Sequence, residues 1–307
     1  MATRRWYGRD SGLTLRMGLT LFGLGLVYVF FIGALIAAGV GAVVVLVIAA
    51  GFALVQILFG DKIALASMGA HVTEPHEAPE LHAMVERLCQ LADLPKPRVA
   101  IARSEIPNAF AAGHSRKTST VCVTTGLMDR LEPRELEGVI AHELSHVANK
   151  DVIVMTVAGF LATVAGLLVR FGVYSGMMGG GRDRKDNSAA VFLVVILVSI
   201  VVYVASFLLL RALSRYREFA ADRGAAIMTG APAQLASALG RISGTMSRIP
   251  TEDLRAAEGM NAFFIIPAVA KGLSLSSIIS THPPAEKRIA RLMEMQAQLD
   301  ANPGATL

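Results

Sequence analysis

From Met17 to Gly60 the sequence contains no charged residue. That is about twice the roughly 20 apolar residues one helical bilayer crossing needs. It is also too long for the apolar core of a signal peptide, and no clear small-residue cleavage site interrupts it, so an uncleaved helical hairpin is expected. Gly39 and Gly41 suit a tight turn between Ala37 and Gly41. Two later blocks, Val152–Val169 and Asn187–Leu210, are likewise uncharged, and the polar, glycine-rich run Gly179–Asp186 lies between them. A second hairpin follows, its first leg the shortest of the four expected crossings. Charged residues make up 17% of the chain, against about a quarter in soluble proteins.

The formal charge of +5 does not point to nucleic acid, because the basic residues form no stripe or long run. They cluster beside apolar blocks instead, as membrane orientation rules favour. With the N-terminus inside, Arg4, Arg5, Arg9, Arg16, Lys62, Lys150, Arg211, Arg215 and Arg217 fall inside. Arg170, Arg182, Arg184 and Lys185 then fall outside. The alternative is a second hairpin that re-enters or packs against protein. Cys89 and Cys122, the only cysteines, belong to a segment assigned to the reducing cytosol and read as small buried apolar residues without a disulfide.

The chain is therefore divided into a transmembrane hairpin (1–60), a cytosolic segment (61–151), a second membrane hairpin (152–210) and a second cytosolic segment (211–307). In the first cytosolic segment Leu81, Met84, Val85, Leu88 and Leu91 recur at helical spacing ahead of Pro95. Arg98–Ala102, Asn108–Ala112 and Thr120–Thr124 read as strands. Pro133 suits the first turn of a helix carrying Leu136, Val139, Ile140, Leu144 and Val147. In the second segment one helix opens at Pro232 with Leu235, Leu239 and Ile242, and another runs from Pro284 to Leu299 with Ile289, Leu292 and Met293 on one side. Neither segment is a complete domain, so the two are expected to pack together. The fold class is mainly α with a small β-sheet: a four-helix membrane region joined to a cytosolic domain.

The helix opening at Pro133 contains His142-Glu143-Leu144-Ser145-His146. Residues four apart on a helix sit about 40° apart around the axis and about 6 Å along it, so both imidazoles can reach one ion. Glu143, turned about 100° from His142, can hold a water without joining the coordination. This is the His-Glu-x-x-His arrangement of zinc proteases. A catalytic zinc takes three protein ligands and keeps one open position, and Glu218, directly after the last apolar block, is the best third ligand. Asp222 lies on the same face and can accept a hydrogen bond from the outer nitrogen of a ligating imidazole. A solvated helix face, with Arg215 and Arg217 paired to the acids, is the plainer reading of that run. His282, held by Pro283 and Pro284, either stabilises an oxyanion or merely occupies a turn. His71, His76, His82 and His114 lack ligand spacing and read as surface residues.

The chain resembles the HtpX-type membrane zinc metalloproteases, a family related to the type I CAAX prenyl proteases. The motifs that carry the resemblance are Pro107–Ala111, Thr124–Leu127, Ala141–His146, Arg217–Asp222 and Ser280–Pro284, in the family's order. It implies one zinc ion per chain, held by His142, His146 and Glu218, with Glu143 as catalytic glutamate and Asp222 supporting the ligands. It also implies that Asn108, Ala109, Phe110 and Ala111 border the substrate cleft as an edge strand able to pair with an extended peptide. The implied enzyme is a multi-pass protein of the cytoplasmic (inner) membrane whose cytosolic part is a zincin-like metalloprotease domain, its active site facing the cytosol. Its substrates would be membrane or misfolded proteins, in quality control and stress response. The rivals are a catalytically dead scaffold that keeps the metal for structure and a small transporter. The open ligand position and Glu143 weigh against the first; the near absence of ionisable residues in the apolar blocks weighs against the second.

Overall fold

A computed structural model describes residues 11–37, 42–178, 186–248 and 282–301. The turns expected at 38–41 and 179–185, and most of the stretch from Arg248 to Ile279, lie outside the described residues. Two units divide the chain: Thr14–Ile57 with Val154–Leu213, and Leu58–Ile153 with Ser214–Leu307 together with Met1–Leu13.

The first of these units is helical. It takes in most of α1 (Ser11–Ala37), the start of α2 (Ala42–Ser67), nearly all of α6 (Asp151–Met178) and the first part of α7 (Asp186–Thr229). Among the described residues two helices, Ser11–Ala37 and Leu193–Thr229, are long and apolar enough to cross a membrane. Asp151–Phe160 and Ala162–Val169, bent by 41° to one another, meet the same requirement only when taken together as one span. Phe31 and Leu35 pack with Val164, Ala165 and Val202, and Leu24 packs with Ala158 and Leu213. Large apolar side chains point outward as well, among them Phe22, Val29, Phe30, Leu197 and Val201. In water such a surface would be a liability; in a bilayer it faces its own solvent. Tyr28 places its hydroxyl inside and donates to the Ala158 carbonyl.

The second unit is built on a four-stranded sheet of β1 (Ala70–Val72), β2 (Arg98–Ala102), β3 (Ala109–Ala112) and β4 (Thr120–Thr124), in the order β1-β2-β4-β3. The β2–β4 pair is parallel and the other two are antiparallel. Strand periodicity sorts the side chains to two faces. Val99, Ala109, Val121 and Val123 join the main core with α3 (Pro79–Ala92), α5 (Pro133–Asn149), α8 (Pro232–Met246) and α9 (Ala285–Ala301). Ala100, Ala102, Phe110, Ala112 and Cys122 meet Ala64 and Leu65 at the end of α2 on the other. Cys89 and Cys122 are buried free thiols, which burial pushes up to about 11 and about 12.

Some expectations are corrected. α3 ends at Asp93, whose left-handed backbone (φ 50°) caps the helix before Pro95 is reached, and Leu91 is exposed. His82 is buried, its Nε2 lying 3.1 Å from the Thr73 carbonyl. On α9 the inward face is Arg288, Leu292 and Met295, while Met293 is 48% exposed.

α5 is the central helix. Glu132 and Glu135 form a reciprocal capping box around Pro133, satisfying amides that a helix start leaves open. Glu135 is itself buried and is held by Ser237 and Arg241 of α8. Gly138 lets α8 approach closely: a Cβ there would sit 3.1 Å from the Leu235 nitrogen. At the other end Arg116 donates to the Ala148 carbonyl from both Nε and Nη2, tying the β3–β4 connection to the end of α5. The short helix α4 (Thr125–Met128) follows β4 and depends on Gly126, where a Cβ would lie 2.4 Å from the Glu105 carbonyl oxygen. Gly126→Ala is therefore expected to destabilise the protein by about 2–3 kcal/mol. A thermal melt in detergent checks this, and an unchanged midpoint would contradict it.

Candidate metal centre

His142 and His146 occupy successive turns of α5, and their Nε2 atoms lie 3.2 Å apart. α7 brings Glu218 against both, with Oε2 3.5 Å from His142 Nε2 and Oε1 3.4 Å from His146 Nε2. One ligand atom from each of the three residues lies within 4.8 Å of the others. Two nitrogens held tetrahedrally at about 2.0–2.1 Å from a zinc-sized cation would be about 3.3–3.4 Å apart, so the imidazole spacing suits such an ion.

The outer ring nitrogens complete the fit. His142 Nδ1 lies 3.0 Å from Asp222 Oδ1, and His146 Nδ1 lies 2.5 Å from Asp151 Oδ2. A carboxylate accepts only, so each Nδ1 carries a hydrogen, and with a cation bound each ring would turn the lone pair of its Nε2 inward. The inward atoms are then two lone pairs and a carboxylate, all bordering one point and none well exposed. That donor set fits a divalent cation.

Asp222 is positioned in turn by Arg288 of α9. Its Nη2 and Nε reach Asp222 Oδ1 and Oδ2 at 2.7 and 2.9 Å, and its Nη1 lies 3.3 Å from Glu218 Oε2. Arg217 Nη2 meets Asp151 at 2.9 Å. His282 Nδ1 lies 3.0 Å from Glu218 Oε2. Around the pocket, among the described residues, the buried carboxyl groups of Glu143, Asp151, Glu218 and Asp222 lie with the buried guanidiniums of Arg217 and Arg288. Glu143 is 5% exposed. Burial pushes its carboxyl up, with His146 and His142 pulling the other way.

Asn108 is buried just ahead of β3, paired through its main chain with Thr124. Along β3, Phe110 turns its side chain into the core shared with α2. Ala111 joins Gly113, His114, Val147, Lys150 and Asp151 in lining a cleft that reaches His146. His71 and His76 are exposed.

Three residues of this network escape a reading of the sequence. Asp151 is the fifth residue after His146, outside the i+3 and i+4 positions a continuous helix brings together. Arg288 is a lone charge heading an apolar stripe. Arg217 reads as an arginine beside a membrane end, paired with acids on a solvated face, and nothing local signals its buried pairing with Asp151. The only signal for Arg288 is its spacing from Leu292 and Met295.

A cation pocket on a helix that also carries a buried acid is the arrangement of a water-activating metallohydrolase, and membrane-length helices on the same chain make the class a membrane metalloprotease. The chain belongs to peptidase family M48, whose model matches residues 75–296. It is 54% identical to Protease HtpX homolog 2 of Methanosarcina mazei over 296 residues, covering 96% of this chain and 99% of that one. With Protease HtpX homolog of Moorella thermoacetica it shares 54% identity over 97% of this chain and 99% of the other. With Protease HtpX homolog 1 of Streptomyces coelicolor the figure is 53%, over 96% of each. Among solved structures, S. mikatae Ste24p superposes with a TM-score of 0.56 at 16% identity, over 87% of this chain and 62% of that chain. The fold is thus shared well beyond recognisable sequence likeness.

Burial opposes a charge on His146, but its hydrogen bonds to Asp151 and Glu218 outweigh it and push the metal-free ring up to about 10. Below that pH a cation must displace a proton to bind. Metal uptake at pH 7 is therefore expected to release protons and to weaken as pH falls. Calorimetric titrations in buffers of different ionisation enthalpy measure this; uptake without proton release would contradict it.

Proposed function

We propose that the chain is a zinc-dependent endopeptidase of the cytoplasmic membrane that hydrolyses peptide bonds of membrane or misfolded proteins in quality control. The observation that carries this is the convergence of His142, His146 and Glu218 on one point beside the buried Glu143. His142, His146 and Glu218 are the metal ligands, with Asp222 orienting His142. Zinc, when bound, polarises the scissile carbonyl and acidifies a water.

The chain's own groups do the rest. Glu143, raised by burial and one residue from His142, takes the proton of the attacking water and passes it to the leaving amine. His282, beside Glu218, faces the same pocket and donates to the developing oxyanion. Asn108, Ala109, Phe110 and Ala111 bind the extended substrate through main-chain pairing along β3. The burial of the Phe110 side chain supports that mode, since backbone recognition leaves sequence tolerance broad.

Four helical crossings with the N-terminus and the metal centre on the cytosolic side agree with the distribution of lysine and arginine. A cysteine placed at Asp183 is then expected to react with a membrane-impermeant thiol reagent in intact cells; labelling only after the membrane is opened would overturn this orientation. For the chemistry, Glu143→Gln should keep its metal and lose casein cleavage by about 10²–10⁴-fold, and His142→Ala or His146→Ala should lose the metal. Chelated wild type supplies the control. Cleavage at the wild-type rate by Glu143→Gln would end the mechanism.

A further inference from the structure

The chain leaves the metal-bearing unit after Ile153 and returns to it at Ser214. Just inside those two points stand Asp151 and Arg217, one the first residue of α6 and the other on α7 directly before Glu218. Their side chains meet at 2.9 Å, with 3% and 8% of each residue exposed. The oxygen that Arg217 contacts, Asp151 Oδ2, is also the one that lies 2.5 Å from His146 Nδ1. A single buried oxygen therefore connects the two roots of the apolar insertion to a ring whose inner nitrogen faces the metal pocket.

The local backbone is shaped for this contact. On an unbroken helix a residue five positions on points about 140° away from its predecessor, so Asp151 could not reach His146 if α5 ran on. α5 stops instead at Lys150, which holds a left-handed conformation (φ 57°, ψ 40°), and α6 begins at the next residue. Outside glycine that conformation is disfavoured, and where it persists the surroundings demand it. Here the turn brings the Asp151 carboxylate back over the last turn of α5.

We propose that Asp151 and Arg217 form a clasp, within the unit that carries the metal pocket, that positions His146 for the metal through their shared oxygen. Asp151 fixes the tautomer and direction of the His146 ring, and Arg217 fixes Asp151. Arg217 acts on His146 only through Asp151. This inference rests on the reading of His146 as a ligand.

The test uses full-length protein in detergent: wild type, Asp151→Asn, Arg217→Gln, Arg217→Lys and the Asp151→Asn/Arg217→Gln double variant. Zinc affinity is measured by competition with a chromogenic chelator, and the visible spectrum is recorded with cobalt in place of zinc. Asp151→Asn is expected to weaken zinc about 10–100-fold and to shift the cobalt bands, a change that loss of general stability does not produce. Arg217→Gln should weaken zinc by less and shift the same bands, Arg217→Lys should recover most of that loss, and the double variant should be no weaker than Asp151→Asn alone. Wild-type affinity and spectrum in Asp151→Asn would overturn the proposal, as would losses that multiply in the double variant. If Asp151→Asn does not fold, the Arg217 pair decides: a loss in Gln restored by Lys supports the clasp, and wild-type behaviour in Gln refutes it. A wild type that takes up no stoichiometric zinc, or an unchanged metal content in His146→Ala, would sink the ligand reading itself and is seen separately.

Discussion

Two imidazole nitrogens and a carboxylate, all withdrawn from water, border one point only with positive charge among them, a bound cation or the proton it would displace. That constraint organises the unit built on the sheet. His142 and His146 turn Nε2 inward because Nδ1 of each is committed to a carboxylate, Asp222 on one side and Asp151 on the other. Those acids are held by Arg288 and Arg217. The network draws on α5, the start of α6, α7 and α9, segments widely separated in sequence. The pocket thus acts as a junction where distant parts of the chain converge.

The rest of the unit keeps this junction rigid. α5 is held in place because its first turn is capped by Glu132 and Glu135, its middle is pressed against α8 at Gly138, and its Ala148 carbonyl is engaged by Arg116. The sheet supplies the wall beside it: β3 buries Phe110 away from the cleft and leaves Ala111 and the chain beyond it next to His146. A rigid helix beside a strand edge would suit the proposed positioning of a peptide bond by its backbone.

Much of this architecture is legible in the residues, and the exceptions have physical causes. Apolar periodicity reveals α5, α8 and the strands because one face of each is buried. The pair His142 and His146 stands out because i and i+4 are neighbours on any helix, whatever the tertiary fold. Asp151, Arg217 and Arg288 stay hidden because their meaning lies in contacts formed across a left-handed turn or between distant helices, which no local period encodes. The same cause explains α9: Arg288 is buried against Asp222 and Glu218, so the inward stripe begins with a charge and the apolar pattern suggests Met293 in place of Met295. His82 is similar, a polar residue buried because Thr73 offers it a partner.

Whether side chains of α5 and α7 grip one divalent cation is read from X-ray absorption at the zinc edge of the purified protein. A low-coordinate nitrogen and oxygen shell at about 2.0–2.1 Å is expected, with the outer-shell scattering of two imidazoles, and loss of one oxygen donor in Glu218→Ala. Sulfur ligation, a single imidazole, or an unchanged shell in Glu218→Ala would contradict it.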